Sequence, residues 1–146
     1  MTTPQFALVL GIVYAIVGLA GFLPAALTTP PPGAPPVQVD AGYGYLFGLF
    51  PVNILHTLVH LAVGVWGIVA SRRVGASRTF AASVAVIFGV LTVMGLIPGL
   101  NTTFGLIPLF GHDIWLHALT ALAAAYFGFG RPAAVGVARD ERRRAA

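Results

Sequence analysis

The spacing of the charged residues is the feature that most constrains how this chain folds. It leaves four long apolar stretches almost free of charge, at about residues 5–27, 50–70, 79–97 and 112–130. Each is close to the ~20 residues with which an α-helix, rising about 1.5 Å per residue, crosses a hydrocarbon core. Transmembrane β-strands are about half as long and alternate apolar with polar residues. The sequence therefore predicts four transmembrane helices.

The composition excludes the common soluble classes. Only 8% of the residues are charged and 58% are hydrophobic, whereas an ordinary soluble domain carries about 25% charged residues. Intrinsic disorder needs the opposite balance of low hydrophobicity and high charge. The sequence has no cysteine, which excludes disulfides and thiolate chemistry. We expect an all-α integral membrane domain at residues 1–130 and a basic cytoplasmic tail at 131–146.

The placement of the arginines predicts the orientation of the helices. Three arginines lie in the 71–78 connection and five follow Gly130, whereas the 28–49 and 98–111 connections hold none. By the positive-inside rule, both termini and the 71–78 connection are cytoplasmic. The proline-rich loop at 28–46 is then extracytoplasmic, and we expect it to be extended and polyproline-like. The first apolar stretch is longer than a signal-peptide core and lacks a basic leader, so we predict a retained helix.

Composition also indicates the cellular setting. High alanine and arginine content without lysine is typical of a bacterial protein, so we expect a multi-pass protein of the bacterial cytoplasmic (inner) membrane. The arginines of the tail then lie near anionic lipid, and we expect no nucleic-acid partner. The expected partners are the lipid bilayer and either other membrane subunits or a second copy of the chain. Small residues such as Gly11 and Gly18, which we place on a lipid-facing surface, suit such docking.

A short repeat divides the chain into two related halves. Residues 47–51 (Phe-Gly-Leu-Phe-Pro) recur 57 positions later as residues 104–108 (Phe-Gly-Leu-Ile-Pro). The same offset pairs the ionisable residues of the second and fourth stretches: His60 with His117, and His56 with Asp113. Both halves start on the cytoplasmic side. The sequence therefore predicts a four-helix bundle built from two parallel-related helical hairpins.

Polar and small residues share one face of the second and fourth predicted helices. At about 100° per residue, one face of the second helix collects Asn53, His56, Thr57, His60, Gly64 and Gly67. The corresponding face of the fourth collects Asp113, His117, Thr120 and Ala124, and His112 lies off it. Unpaired ionisable groups are costly inside a membrane. We therefore predict that these two faces meet, and that their small residues let the two backbones approach.

The ionisable side chains on these faces have more than one interpretation. They are His56, His60, Asp113 and His117. Three imidazoles and a carboxylate suit Zn²⁺, or iron or manganese with an open position, with Asn53 and Thr57 as hydrogen-bonding neighbours of the ligands. Alternatively, His60 and His117 lie at equal depth and ligate a haem or a chlorophyll-type pigment. The cluster is otherwise a purely structural hydrogen-bond network, or part of a proton or substrate path.

No enzyme class is indicated by the sequence. It has no glycine-rich phosphate loop, no nucleophile elbow and no pair of intramembrane carboxylates, so we predict no catalytic residues. We expect a non-enzymatic accessory or structural subunit of a larger bacterial membrane complex, with a buried histidine and aspartate cluster between the second and fourth helices. The alternative is a metal-, haem- or pigment-binding membrane protein that acts in redox chemistry or ion handling.

A motif on the second helix reads Asn53-x-x-His56-x-x-x-His60-Leu61-Ala62-x-Gly64. It resembles a family of small bacterial, largely actinobacterial, four-helix membrane proteins described only as a domain of unknown function. Residues 14–24, Pro108 and the Asp113-x-x-x-His117 spacing also match that family. Where the family commonly has Asn-x-x-His-Asn, this chain has Thr57. The resemblance implies a four-helix fold in a bacterial inner membrane, and it implies no reaction.

Overall fold

A computed structural model describes residues 1–130 as a four-helix protein with one small sheet. The helices are α1 (Thr3–Ala20), α2 (Ile54–Ala70), α3 (Val74–Leu96) and α4 (His112–Phe129). A 3-10 turn (Pro24–Ala26) and three short strands join α1 to α2: β1 (Leu27–Thr28), β2 (Gly44–Leu46) and β3 (Phe50–Val52). The strands pair antiparallel in the order β1-β2-β3. The prediction of four helices is confirmed, and the sheet was not predicted. The predicted tail at 131–146 lies outside the described residues.

The helix boundaries differ from the predicted ones for local reasons. α1 ends at Ala20 instead of near residue 27, because Leu23 is held extended before Pro24, as residues before proline usually are. α2 begins at Ile54 instead of residue 50, because residues 50–52 pair with β2. α3 begins at Val74 instead of residue 79. The prediction had placed Arg78 in the connection before the helix, whereas Arg78 lies in the second turn of α3.

Each helical hairpin is held by close contacts at glycine. α1 packs along α2, and α3 packs along α4. A Cβ added at Gly64 would lie 2.8 Å from Cα of Ala15 in α1, and one at Gly128 would lie 2.8 Å from Cα of Ala82 in α3. The prediction that the small residues of α2 and α4 pack on each other is therefore wrong. Gly11 and Gly18, both expected on a lipid-facing surface, also face α2.

The two repeat segments begin with the same left-handed turn. Phe47 and Gly48 have φ angles of 53° and 74°, and Phe104 and Gly105 have φ angles of 59° and 89°. In both turns the glycine N–H donates to the carbonyl three residues earlier, at 3.0 Å from Tyr45 and 2.9 Å from Thr102. Left-handed φ is unfavourable for phenylalanine. The 57-residue offset therefore relates two structurally equivalent turns.

The proline-rich segment packs on the second half of the chain. The N–H groups of Gln38 and Val39 both donate to the Gly105 carbonyl, at 2.8 and 3.3 Å. Tyr43 donates its hydroxyl to the Pro35 carbonyl at 2.9 Å, and partial burial raises the pKa of that hydroxyl. A hydrogen-bonded turn runs from Pro31 to Ala34. The 28–46 segment therefore contains turns and β2 in addition to extended chain.

The outer surface of the helices is apolar, whereas the interior contains polar side chains. Large apolar residues are exposed on every helix, for example Ile16, Val65, Val90 and Leu122. The buried polar residues of the described chain are Asn53, His56, Thr57, His60, Ser77, Thr102, Asp113, His117 and Thr120. Two helices, α1 and α3, are long and apolar enough to cross a membrane, and α2 is a shorter apolar helix. An apolar core that includes Phe6, Phe80, Val84 and Phe88 accompanies these buried polar residues, so the described chain is apolar on its surface as well as in its core.

Candidate metal-binding site

The start of α2 is fixed by Asn53, which is completely buried. Its side-chain oxygen accepts a hydrogen bond from the backbone N–H of His56 at 3.0 Å, as an N-cap does. Its amide nitrogen donates to the carbonyls of Val39 at 2.9 Å and Leu106 at 2.7 Å. Asn53 therefore joins both halves of the chain at the helix end that carries the first histidine. It acts on the backbone of His56 and not on its ring.

Two histidines follow one turn apart on the buried face of α2. The ring centroids of His56 and His60 lie 4.3 Å apart, and each residue is 3% exposed. The i and i+4 positions of a helix lie on the same side, so this spacing brings both rings to the interior. Thr57, predicted to neighbour a ligand, packs instead against Gly21 after the end of α1.

Two aromatic residues hold the paired histidines in equivalent ways. Tyr14 of α1 makes an edge-on contact with His60, at 5.3 Å between ring centroids, and Phe88 of α3 makes one with His117 at 5.0 Å. Tyr14 and Phe88 also contact each other at 5.4 Å. The 57-residue offset of the two turns pairs His60 with His117, and an offset of 74 residues pairs Tyr14 with Phe88. The centre of the bundle is therefore nearly two-fold symmetric.

Three imidazoles converge at this centre. Ligand atoms of His56, His60 and His117 all lie within 4.8 Å of one another, and all three side chains are buried. Among the described residues, four buried polar atoms have no hydrogen-bond partner: Nε2 of His60, Nδ1 of His117, and both carboxylate oxygens of Asp113. Buried polar atoms in native proteins nearly always have a partner. The two orphaned histidine nitrogens are therefore free to bind an ion, a polar ligand or a water molecule.

Asp113 lies beside the histidine cluster and does not belong to the converging set. Its Oδ2 atom is 3.7 Å from Nδ1 of His56, and the same Nδ1 is 3.2 Å from the Pro51 carbonyl oxygen. When Nδ1–H donates to Pro51, Nε2 of His56 keeps the lone pair that a metal needs. A carboxylate next to the other ring nitrogen is a common way to orient a histidine ligand. The sequence predicted Asp113 as a ligand, and the structure brings it beside His56 without a hydrogen bond to the ring.

A cavity of about 210 Å³ adjoins the three histidines. Apart from these histidines and Thr103, its walls are apolar: Val59, Ile87, Phe88, Leu91, Ile107 and Leu109. The hydroxyl of Thr103 already donates to the Ile107 carbonyl at 2.6 Å. The imidazoles are thus the polar groups of this cavity that have free hydrogen-bonding or metal-binding capacity.

The fourth histidine lies apart from the cluster, as its helix angle predicted. His112 is exposed at the start of α4 and contacts Phe50 at 6.4 Å between ring centroids. Sequence reasoning missed the roles of Tyr14, Phe88 and Pro51 around the cluster. An alignment of α1 with α3 at the 74-residue offset pairs Tyr14 with Phe88. The sequence could therefore have indicated Tyr14 and Phe88, whereas nothing in it indicates a contact with the Pro51 carbonyl.

Comparisons with known proteins add a family. The family model described as a domain of unknown function (DUF4383) matches residues 5–130. The matched range includes all four helices apart from the first residues of α1, and it includes every residue of the histidine cluster. Neither the curated proteins nor the solved structures contain a match to this chain. The chain therefore belongs to the DUF4383 family of proteins with a domain of unknown function.

Proposed function

We propose that this protein is a four-helix integral membrane protein that binds a divalent transition-metal ion, Zn²⁺ or Fe²⁺, with His56, His60 and His117. Asp113 orients His56 from the adjacent position. The observation that carries the proposal is the convergence of three buried imidazoles within 4.8 Å, two of which have a ring nitrogen without a partner. Imidazole is a preferred ligand of both ions.

The membrane location is supported by where apolar and polar residues lie. α1 and α3 have the length and composition of spanning helices. All four helices expose large apolar side chains, and α2, α3 and α4 also bury polar ones, as expected when lipid replaces water outside the bundle. We propose a bacterial cytoplasmic membrane, with both termini and the α2–α3 connection on the cytoplasmic side, because that connection carries Arg72 and Arg73.

The distances within the cluster suit a compact ion. Zn–N bonds of about 2.0–2.1 Å place two tetrahedral nitrogen ligands roughly 3.4 Å apart. The observed separation of up to 4.8 Å has to close by movement of the histidine side chains when an ion binds. Because Asp113 lies outside the converging set, three histidines fill three positions and leave a fourth open.

A haem or chlorophyll-type pigment fits less well. The cavity of about 210 Å³ is smaller than the roughly 300–1,000 Å³ typical of ligand pockets. Phe88 and Tyr14 lie edge-on to the two histidines that would be axial ligands. A macrocycle between His60 and His117 requires both aromatic residues to move.

Elemental analysis of gently purified protein tests the metal site. We expect close to one equivalent of Zn or Fe in the wild type, and loss of that metal in His60→Ala and His117→Ala. The exposed His112→Ala is the matched control and should keep the metal. A folded wild-type protein that contains no metal, and takes up none when Zn²⁺ or Fe²⁺ is supplied, contradicts the proposal. A Soret band lost in His60→Ala would favour haem instead.

A second role, as an accessory subunit of a larger membrane complex, is favoured by one observation. Phe47 and Phe104 are 63% and 70% exposed at the tips of the two equivalent turns, both in left-handed conformations unfavourable for phenylalanine. Native mass spectrometry of protein purified in mild detergent tests this role. We expect a heteromeric assembly that is lost in the Phe47→Ser and Phe104→Ser double variant. A species containing only this chain contradicts it.

A further inference from the structure

The cavity beside the histidine cluster reaches the outer surface of the bundle. Val59 of α2 and Ile87 of α3 line it, yet they are 41% and 47% exposed. Both residues belong to the apolar outer surface that faces lipid in the proposed membrane location. The cavity therefore opens sideways between α2 and α3, toward the bilayer.

Three histidines contribute to the lining of the cavity, and nearly all of its accessible surface is apolar. Besides His56, His60 and His117, the lining residues come from α2, α3 and the α3–α4 connection and are apolar apart from Thr103. An ion or a strongly polar molecule would lose its hydration along such walls without compensation. The cavity suits an uncharged molecule with an apolar body and one polar atom at its tip.

The size of the cavity limits the body of that molecule. A dry cavity of about 150 Å³ accommodates benzene, so one of about 210 Å³ accommodates a six-membered ring with small substituents. A ring oxygen directed at the histidines would reach the imidazoles or the fourth position of a three-histidine metal site. An alkyl tail would leave through the opening between Val59 and Ile87.

From these three features we propose that the cavity binds the ring of a quinone dissolved in the bilayer, with a quinone oxygen directed to the histidine cluster. The inference deepens the proposed function and rests on its membrane location and its histidine site. Three observations favour a quinone: an apolar body fits the walls, an oxygen acceptor fits the histidines, and entry from lipid fits the opening.

Plugging the opening tests the proposal. Wild-type protein in lipid nanodiscs is titrated with decyl-benzoquinone, with empty nanodiscs as the reference for partitioning into lipid. We expect saturable binding that weakens by about tenfold or more in Ile87→Trp, because the larger ring fills the opening. Val86→Trp, at the neighbouring exposed position, is the matched control and should bind like the wild type. A second pair, Val59→Trp with Leu58→Trp as its control, makes the same comparison on α2.

Metal content measured on the same samples separates this inference from the proposed function. Absence of saturable quinone binding in a metal-containing wild type overturns the quinone site and leaves the metal site standing. The same conclusion follows if both plugged variants bind the quinone as tightly as the wild type. Metal-free protein that binds the quinone, and loses binding in the plugged variants, overturns the metal site and supports the cavity as a ligand site of the imidazoles themselves.

Discussion

Asn53 has an unusually large structural role for one residue. Its three hydrogen bonds connect the start of α2, the proline-rich segment and the second repeat turn. Each buried hydrogen bond contributes about 1 kcal/mol, and removal of one partner adds the cost of leaving the other unpaired. The geometry of His56 therefore depends on contacts that lie outside the histidine cluster.

Asn53→Ala should be strongly destabilising. We expect the free energy of unfolding to fall by about 2–4 kcal/mol, because three backbone groups lose their partner. Thr2→Ala is the matched control: Thr2 is the N-cap of α1 but is exposed, so the expected loss is about 1 kcal/mol. Denaturant unfolding in detergent micelles measures both. Equal losses in the two variants would show that the buried contacts of Asn53 add nothing.

Asp113→Asn should weaken metal binding without unfolding the protein. The amide has nearly the shape of the carboxyl group but is a weaker acceptor, so His56 loses its carboxyl neighbour at 3.7 Å. Loss of such an orienting partner typically lowers metal affinity by about 10–100-fold. Competition with a chromophoric chelator measures the affinity. Asp40→Asn, at an exposed position, is the control. Unchanged affinity in Asp113→Asn would assign the carboxylate a purely structural role.

At the scale of helices, each hairpin is a unit whose backbones touch. Glycines on α2 and α4 remove the side chains that would separate each from its partner. The periodicity of the sequence identified the small face of α2 correctly. It could not identify the helix that covers that face, because helical phase gives a direction but no partner. Connection length was no guide either, because the shortest connection, residues 71–73, joins α2 to α3, yet α2 packs mainly along α1 across the long connection at 21–53.

Gly64→Ala should destabilise the first hairpin. Its new methyl group would lie 2.8 Å from Cα of Ala15, and relief of such overpacking costs about 1–3 kcal/mol. Gly89→Ala in α3 is the matched control, because nothing lies within 4 Å of its added Cβ. There we expect a gain of up to about 1 kcal/mol from helix propensity. Thermal unfolding in micelles measures both, and a shift of the same sign in the two variants would contradict the contact.

At the scale of the whole molecule, the proposed orientation places the two repeat turns outside the cell and the α2–α3 connection inside it. Because the sequence has no cysteine, single cysteines report on each end without background. With an impermeant maleimide on intact cells, we expect labelling of Leu106→Cys in the second repeat turn. We expect labelling of Gly75→Cys, at the start of α3, only after permeabilisation. The reverse pattern would invert the orientation, and labelling of both before permeabilisation would contradict a membrane-spanning bundle.

The sequence predicted the architecture better than the details of the site. Long uncharged stretches suffice for the number of helices, and the offset of His60 and His117 correctly paired two residues that meet. The sheet between α1 and α2 was missed because its strands have only two or three residues. The sequence placed Asp113 on the correct face of α4. It could not show that Asp113 lies near Nδ1 of His56 together with the Pro51 carbonyl, because a backbone carbonyl leaves no pattern in the sequence.

The near-symmetry of the bundle centre is broken at two positions, and both affect what the site can accept. A strictly duplicated hairpin would have histidine at both 56 and 113, and four imidazoles would saturate a tetrahedral ion. Aspartate at 113 replaces one of those imidazoles with a carboxyl group on one side of the centre. Tyrosine at 14, opposite phenylalanine at 88, adds a hydroxyl bonded to Thr120 at 3.1 Å on one side alone. Two equivalent halves thus produce a centre whose two sides differ in chemistry.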